Sequence, residues 1–356
     1  RRTRSLLAQD LDALEELGQG YAGVVKLQVA GPWTLAATVE KPRGDLVLGD
    51  HGARRDLAEA LAEGLRDHVR DVRRRMPAAA SLVVQLDEPA LASVLAAARR
   101  PLIWAGGGVV RSGGFAALAR LAERLDAPVF PTALGKGALP ADHPLSAGAG
   151  LLHPAATEML TGCDVMLAVG TGFGQLETVN WQLPMPPTLI QVDVDPEAIG
   201  RNYPVEHAIV GDAGVVLEAL AEAVSARQPR VAEEVSEMRA GMRRQCNERC
   251  PQVVELIDAV RGGTPRETVF VNDLTVAVYW ARYLLDVYEP RSYLYPWNFC
   301  TLGYALAASI GAAIARPDCP VVALTGDGGM LFNVQELATA VQHRVPLTVV
   351  VFNDDA

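Results

Sequence analysis

The sequence predicts an α/β fold of open, largely parallel sheets. Three observations carry that expectation. Strand-like and helix-like segments alternate along most of the chain. Three strand-like runs lead directly into glycines: LIWA into Gly106-Gly107-Gly108, VMLAV into Gly170-Thr171-Gly172, and VVALT into Gly326-Asp327-Gly328. No apolar run reaches the length of a membrane span, so the apolar half of the composition belongs in buried cores.

The elements follow in order. Residues 1–98 read as helix, strand, helix, strand. Val24 to Ala30 is apolar and β-branched enough for a strand. Leu57, Leu61, Leu65, Val69 and Val72 recur at three- and four-residue spacing, which predicts a helix over 52–75. Ser81 to Leu86 is the next strand, and strand–helix–strand order implies parallel pairing. Residues 99–226 alternate more regularly. Strands are expected at 102–105, 128–131, 165–169 and 189–194, with helices at 115–125 and 215–224. Residues 227–265 are polar and read as a surface helix followed by a linker that ends near Gly262-Gly263. From Arg266 onward come a strand at 268–271, helices at 274–285 and 304–315, a strand at 321–324, a helix, and a strand at 347–352. There is no internal repeat.

Bulk properties narrow the function. With 356 residues the chain has room for two or three domains. A formal net charge of −10 argues against a general nucleic-acid binder. The five cysteines are scattered and odd in number, which argues against a disulfide framework and for a reducing, cytoplasmic setting. Cys246 and Cys250 could hold half a metal site, but no second pair completes a zinc centre.

The densest chemistry lies in Pro320 to Ala356. Two apolar strands flank one helix, and each strand ends in oxygen-bearing residues: Asp327 after the first, Asn353 and Asp354 after the second. Parallel strands bring such ends together at the edge where open α/β sheets bind ligands. Gly326 and Gly328 allow the backbone close to a ligand. Asn333 and Glu336 form a capping-box pattern, so a helix is expected to start there with its positive end toward the same edge. Mg²⁺ prefers oxygen ligands, typically one or two carboxylates with phosphate oxygens. A lone Gly-Asp-Gly is more often a simple turn. The whole set, with 24 residues between Gly328 and Asn353, fits a Mg²⁺-bridged diphosphate better.

These residues resemble the thiamine diphosphate enzymes, in which Gly-Asp-Gly is followed by Asn-Asn or a variant. The stretch QELATAVQ…VPLTVVVFND is similar to acetolactate synthases and related 2-oxo acid carboligases. Leu302-Gly303-Tyr304 resembles the segment whose large apolar residue supports the cofactor; alone, Leu302 reads equally well as core. RPLIWAGGGV, AVGTGFG and QVDVDPEAIGRN resemble the family's central domain. The resemblance implies a Rossmann-like central domain (99–226), a linker (227–265) and a truncated diphosphate-binding α/β domain (266–356). It implies thiamine diphosphate and Mg²⁺ as cofactors, a 2-oxo acid substrate and a homo-oligomer, with no membrane or nucleic-acid partner. Gly326, Asp327, Gly328, Gly329, Asn353, Leu302 and Gly303 would line the cofactor. Asp327, Asp354 and the Ala356 carbonyl would ligate the metal, with Asp354 standing where the family usually has Asn. Some members bind FAD or ADP in the central domain, which leaves FAD open as a second cofactor. The family's activating Glu, which lies on a separate pyrimidine-binding domain, has no counterpart in this chain.

Residues 1–98 resemble something else. VKLQVAGPWTLAATVE, HGARRDLAEALAEGL and VVQLDEPAL look like cobalamin-independent methionine synthase-like proteins, which implies a partial (β/α) barrel fragment. Asp87 and Glu88 would then sit at a strand end, as substrate groups or as a solvated turn. The change of resemblance near Leu95 to Arg100 suggests a fusion of two fragments. The absence of an initial Met, and an end at Ala356 directly after a strand-like run, suggest that both termini are cut. Three other readings stay open: a dinucleotide-binding module on Gly106–Gly108 and Gly170–Gly174, a methyltransferase-type barrel piece, and a non-catalytic fragment.

Overall fold

The computed structural model describes residues 2–31, 34–35, 38–40, 44, 47, 51–87, 89–297 and 299–353. Glu88, Asp354 and Ala356 therefore lie outside the described residues, as does the side chain of Asp87. The chain divides into two compact units, residues 1–94 and residues 95–356.

The first unit contains helix α1 (Arg2–Leu17), strand β1 (Val24–Ala30), helix α2 (His51–Arg75) and strand β2 (Ser81–Asp87). Strands β1 and β2 pair in parallel from Val24 opposite Ser81 to Ala30 opposite Asp87. The small core joins Leu11, Val25, Leu27, Val72 and Met76. Arg75 near the foot of α2 reaches Asp12 and Glu15 of α1 at 2.7 Å each. Helix α3 (Pro89–Ala97) carries the chain into the second unit.

The second unit holds two parallel sheets. The first contains β3 (Pro101–Ala105), β4 (Val129–Pro131), β5 (Val165–Val169), β6 (Thr188–Asp193) and β7 (His207–Val210), in the order β4-β3-β5-β6-β7. Helices α4 (Gly107–Ser112), α5 (Phe115–Leu125) and α6 (Thr157–Gly162) intervene, and α7 (Ala213–Ala223) follows β7. Strands β3 and β5 are buried at every position, which is why they read as continuous apolar runs rather than alternating ones. The chain winds outward in both directions from the pair β3–β5. Their C-terminal ends are a topological switch point, where such sheets open a crevice.

Helices α8 (Ala232–Arg249) and α9 (Pro251–Gly262) follow. This corrects the reading of 227–265 as a surface helix and a linker. Val235, Met238, Met242 and Cys246 form one buried stripe of α8, and Val254 and Ile257 of α9 join the same core. The stripe recurs every three or four residues, but it is narrow and sits among charged side chains, so the composition looks like that of a solvated segment.

The second sheet contains β8 (Val269–Asn272), β9 (Tyr293–Leu294), β10 (Val321–Gly326) and β11 (Thr348–Phe352), in the order β11-β10-β8-β9. Helix α10 (Val276–Leu284) follows β8, α11 (Tyr304–Ala315) precedes β10, and α12 (Asp327–Asn333) and α13 (Glu336–Gln342) connect β10 to β11. Here the switch point falls between β8 and β10. The two sheets share one continuous core, which runs from Leu102, Trp104 and Phe130 to Phe270, Val322 and Leu324. Lys136, fully buried, fastens them together. Its Nζ donates to the carbonyls of Ala281, Arg282 and Leu285 at 3.2, 3.0 and 2.7 Å and so satisfies acceptors left at the end of α10. Burial pushes the Lys136 ammonium down to about 7.

Candidate functional site

The site forms at the switch point of the second sheet. The run Val321–Gly326 is buried throughout because β10 is covered on both faces. It stops where Gly326-Asp327-Gly328 lets the chain turn at once into α12. Strand β11 pairs with β10 in parallel, Gly326 opposite Phe352, so Asp327 and Asn353 follow directly from two paired residues. Both are exposed. A side chain at Gly328 would meet nothing within 4 Å, so the space beside Asp327 is open.

Beneath these exposed groups lies a scaffold that the sequence did not announce. Asp273, immediately after β8, is fully buried. Its Oδ1 accepts the N–H of Leu274 at 2.8 Å and of Gly303 at 3.1 Å, and its Oδ2 accepts the N–H of Ala305 and the hydroxyl of Thr325, both at 3.3 Å. One carboxylate thus holds the end of β8, the start of α11 and the end of β10 together. Gly303 has φ +82°, and an added Cβ would lie 2.7 Å from Phe332 Cβ. The Asn333 amide donates to the Gly303 carbonyl at 2.6 Å. Gly329 is packed against Thr325 and Asp273 so closely that it too has no room for a side chain. A lone Asp after a strand carries no motif, which is why Asp273 and Thr325 escaped the sequence reading; the pairing of β8 with β10 is the signal that exposes them.

Gly326, Asp327, Gly328, Gly329 and Asn353 gather at the ends of β10 and β11, and Leu302 and Gly303 lie beside them through Asn333 and Phe332. Leu302 is 46% exposed and is therefore not core. The capping box expected at Asn333–Glu336 does not form. Asn333 is the last residue of α12 and its side chain serves Gly303 instead, while the helix that starts at the sheet edge begins at Asp327. The glycines of Gly-Asp-Gly-Gly let the helix begin six residues earlier than the capping pattern suggests. Its first N–H groups have no intrahelical acceptors.

The donor set suits a hard cation bridged to a diphosphate. Among the described residues no group of three His, Cys, Asp or Glu side chains gathers. Among the described residues, what gathers is one exposed carboxylate, Asp327, with Asn353 at the end of the neighbouring strand and open space at Gly328. Mg²⁺ held mainly by a carboxylate and phosphate oxygens asks for such a set, and a softer metal would ask for sulfur or imidazole.

A second cleft, about 620 Å³, opens at the switch point of the first sheet. Backbone meets backbone in its lining: a Cβ on Gly108 would lie 2.5 Å from the Gly170 Cα. Gly107, Gly170, Arg111, Asp193, Asp212 and Glu177 line it. Glu177 is nearly buried, and desolvation raises its carboxyl to about 7, opposed by the N–H of Ala133 at 3.2 Å and by the Arg282 charge. All five cysteines are free.

Comparison with known proteins identifies related chains. Residues 89–220 match the family model described as "Thiamine pyrophosphate enzyme, central domain". Residues 273–356 match "Thiamine pyrophosphate enzyme, C-terminal TPP binding domain". A probable 2-ketoarginine decarboxylase of Pseudomonas aeruginosa is 40% identical over 275 residues, which are 75% of this chain and 48% of that protein. A probable acetolactate synthase large subunit of Methanocaldococcus jannaschii is 34% identical over 74% of this chain and 47% of its own length. The chain thus spans about half the length of the curated relatives it matches. A solved structure from Mycobacterium smegmatis, described as a thiamin diphosphate-dependent enzyme, shares the fold with a TM-score of 0.59 and 22% identity, over 77% of this chain and 59% of that one.

Proposed function

The chain belongs to the thiamine pyrophosphate enzymes, and from that premise we propose that it holds the diphosphate end of thiamine diphosphate through Mg²⁺ and serves the decarboxylation or carboligation of 2-oxo acids, as acetolactate synthases do. The observation that carries this reading is the placement of Asp327 and Asn353 directly after register-paired residues of β10 and β11. In it Asp327, Asp354 and the Ala356 carbonyl ligate the metal. Gly326, Gly328, Gly329 and Asn353 face the diphosphate, and Leu302 and Gly303 support the rings. When bound, the cofactor supplies the electron sink that lets a 2-oxo acid lose CO₂. The chain's own contribution is positioning: Asp273 fixes the three backbone segments, and the glycines keep side chains out of the diphosphate's path.

The intact protein is proposed to act as a homo-oligomer. Leu331, Phe332 and Val341 on α12 and α13 are more than half exposed, which suits further protein packed against them. Among the described residues no helix is long and apolar enough to cross a membrane. The five free cysteines support a cytoplasmic setting.

Titration of thiamine diphosphate into the purified chain, with Mg²⁺ and with EDTA, tests the reading when paired with an assay of pyruvate consumption. Mg²⁺-dependent saturation is expected; cofactor binding that ignores Mg²⁺, or no binding, would overturn it. A second reading concerns the first sheet, where the cleft of about 620 Å³ at the β3–β5 switch point has room for a nucleotide such as FAD. Flavin absorbance of the purified protein decides it.

A further inference from the structure

We infer that a third cleft, at the opposite edge of the five-stranded sheet, binds a small organic anion: a phosphate ester or dicarboxylate with an apolar body. This cleft encloses about 500 Å³ at the N-terminal ends of β3 and β4, away from both glycine-lined edges. Its floor is apolar, with Leu102, Leu125 and Met159, and its rim carries Arg99, Arg100, Arg227 and Arg230.

The charge on that rim is only partly compensated. Asp126 is engaged by the backbone N–H groups of Arg230 at 2.8 Å and of Val231 at 3.2 Å. Asp164, close by, is engaged by the backbone N–H groups of Arg99 and Arg100 at 2.6 and 2.9 Å. Glu234 pairs with Arg100. Arg227 donates to the carbonyls of Leu95 and Ala96 at 2.6 and 2.9 Å, at the end of α3. The guanidinium groups of Arg99 and Arg230 make no ion pair or hydrogen bond among the described residues.

Two uncommitted guanidinium groups over an apolar floor select a ligand of matching chemistry. Each guanidinium offers a planar fork suited to a carboxylate or phosphate. The floor favours a ligand with carbon to bury over a bare ion. The volume fits a metabolite-sized molecule rather than a macromolecule.

Phenyl phosphate is the probe, titrated into the full chain by calorimetry, with inorganic phosphate and phenol as the body-less and charge-less controls. Saturable binding of phenyl phosphate is expected, stronger than either control and weakened by salt. The Arg99→Ala/Arg230→Ala double variant is expected to bind about tenfold or more weakly. Its thermal unfolding should be unchanged, because neither side chain holds the fold. The Lys/Lys double variant should recover part of the binding. Undiminished affinity in the Ala/Ala variant, equal affinity for inorganic phosphate, or no saturable binding of phenyl phosphate would each overturn the assignment. The diphosphate site does not confuse the result, because its residues are untouched in these variants.

Discussion

The buried carboxylate of Asp273 accepts the backbone N–H of Gly303 at 3.1 Å, which ties the end of β8 to the turn that carries Leu302. Three further donors, on Leu274, Ala305 and Thr325, converge on the same two oxygens. Leu302, Asp327 and Asn353, proposed to meet the cofactor, are exposed, so their placement depends on what lies beneath them. Asp273 is the group that ties these segments together.

Replacing Asp273 by Ala leaves several buried donors without an acceptor. The expected cost is about 3 kcal/mol or more in urea unfolding. Asp273→Asn keeps one acceptor oxygen and should lose clearly less. A loss below about 1 kcal/mol for Asp273→Ala would mean that the network is not holding the edge.

Two glycines of the site should respond in opposite ways. Gly303 has φ +82° and a neighbouring atom 2.7 Å from any added Cβ. Gly303→Ala should therefore lower stability by about 2 kcal/mol. Gly328 lies in a helix with open space around it, so Gly328→Ala should be neutral or slightly stabilising. Equal effects in thermal unfolding would contradict the packing described.

Glu177 predicts a pH signature. Burial raises its carboxyl from 4.5 to about 7 in the folded chain. Between those values the folded state keeps a proton that the unfolded state has lost. The stability this group contributes is fully present below about 4.5 and is lost as pH rises through about 7. Glu177→Gln removes the titration. Between about pH 5 and pH 8 the wild type should therefore lose up to about 3 kcal/mol relative to the variant. Parallel pH profiles for the two proteins would refute this.

The sequence carried much of this structure at the level of strands. β3, β5 and β10 are buried on both faces, so each stands out as an apolar run closed by glycine. Asp327 and Asn353 were legible because a motif and a spacing point to them. Asp273 was not, since its role exists only after β8 and β10 are laid side by side. Glu177 was hidden for a similar reason: nothing local says that the N–H of Ala133, 44 residues away, will donate to it. Asn333 misled because its side chain caps no helix and instead answers a carbonyl 30 residues upstream. The stripe from Val235 to Cys246 was masked by the charged residues around it, and β9, at two residues, is too short to show a period.

The central claim is that Asp327 holds the metal that holds the diphosphate. Calorimetric titration of thiamine diphosphate into wild type and Asp327→Ala, each with Mg²⁺ and with EDTA, tests it most directly. Asp327 is exposed and its removal leaves the scaffold intact, so the variant should unfold like the wild type. Wild-type affinity should depend on Mg²⁺, and the variant should bind about ten- to a hundredfold more weakly in Mg²⁺. Equal affinities of the two proteins in Mg²⁺ would contradict the account.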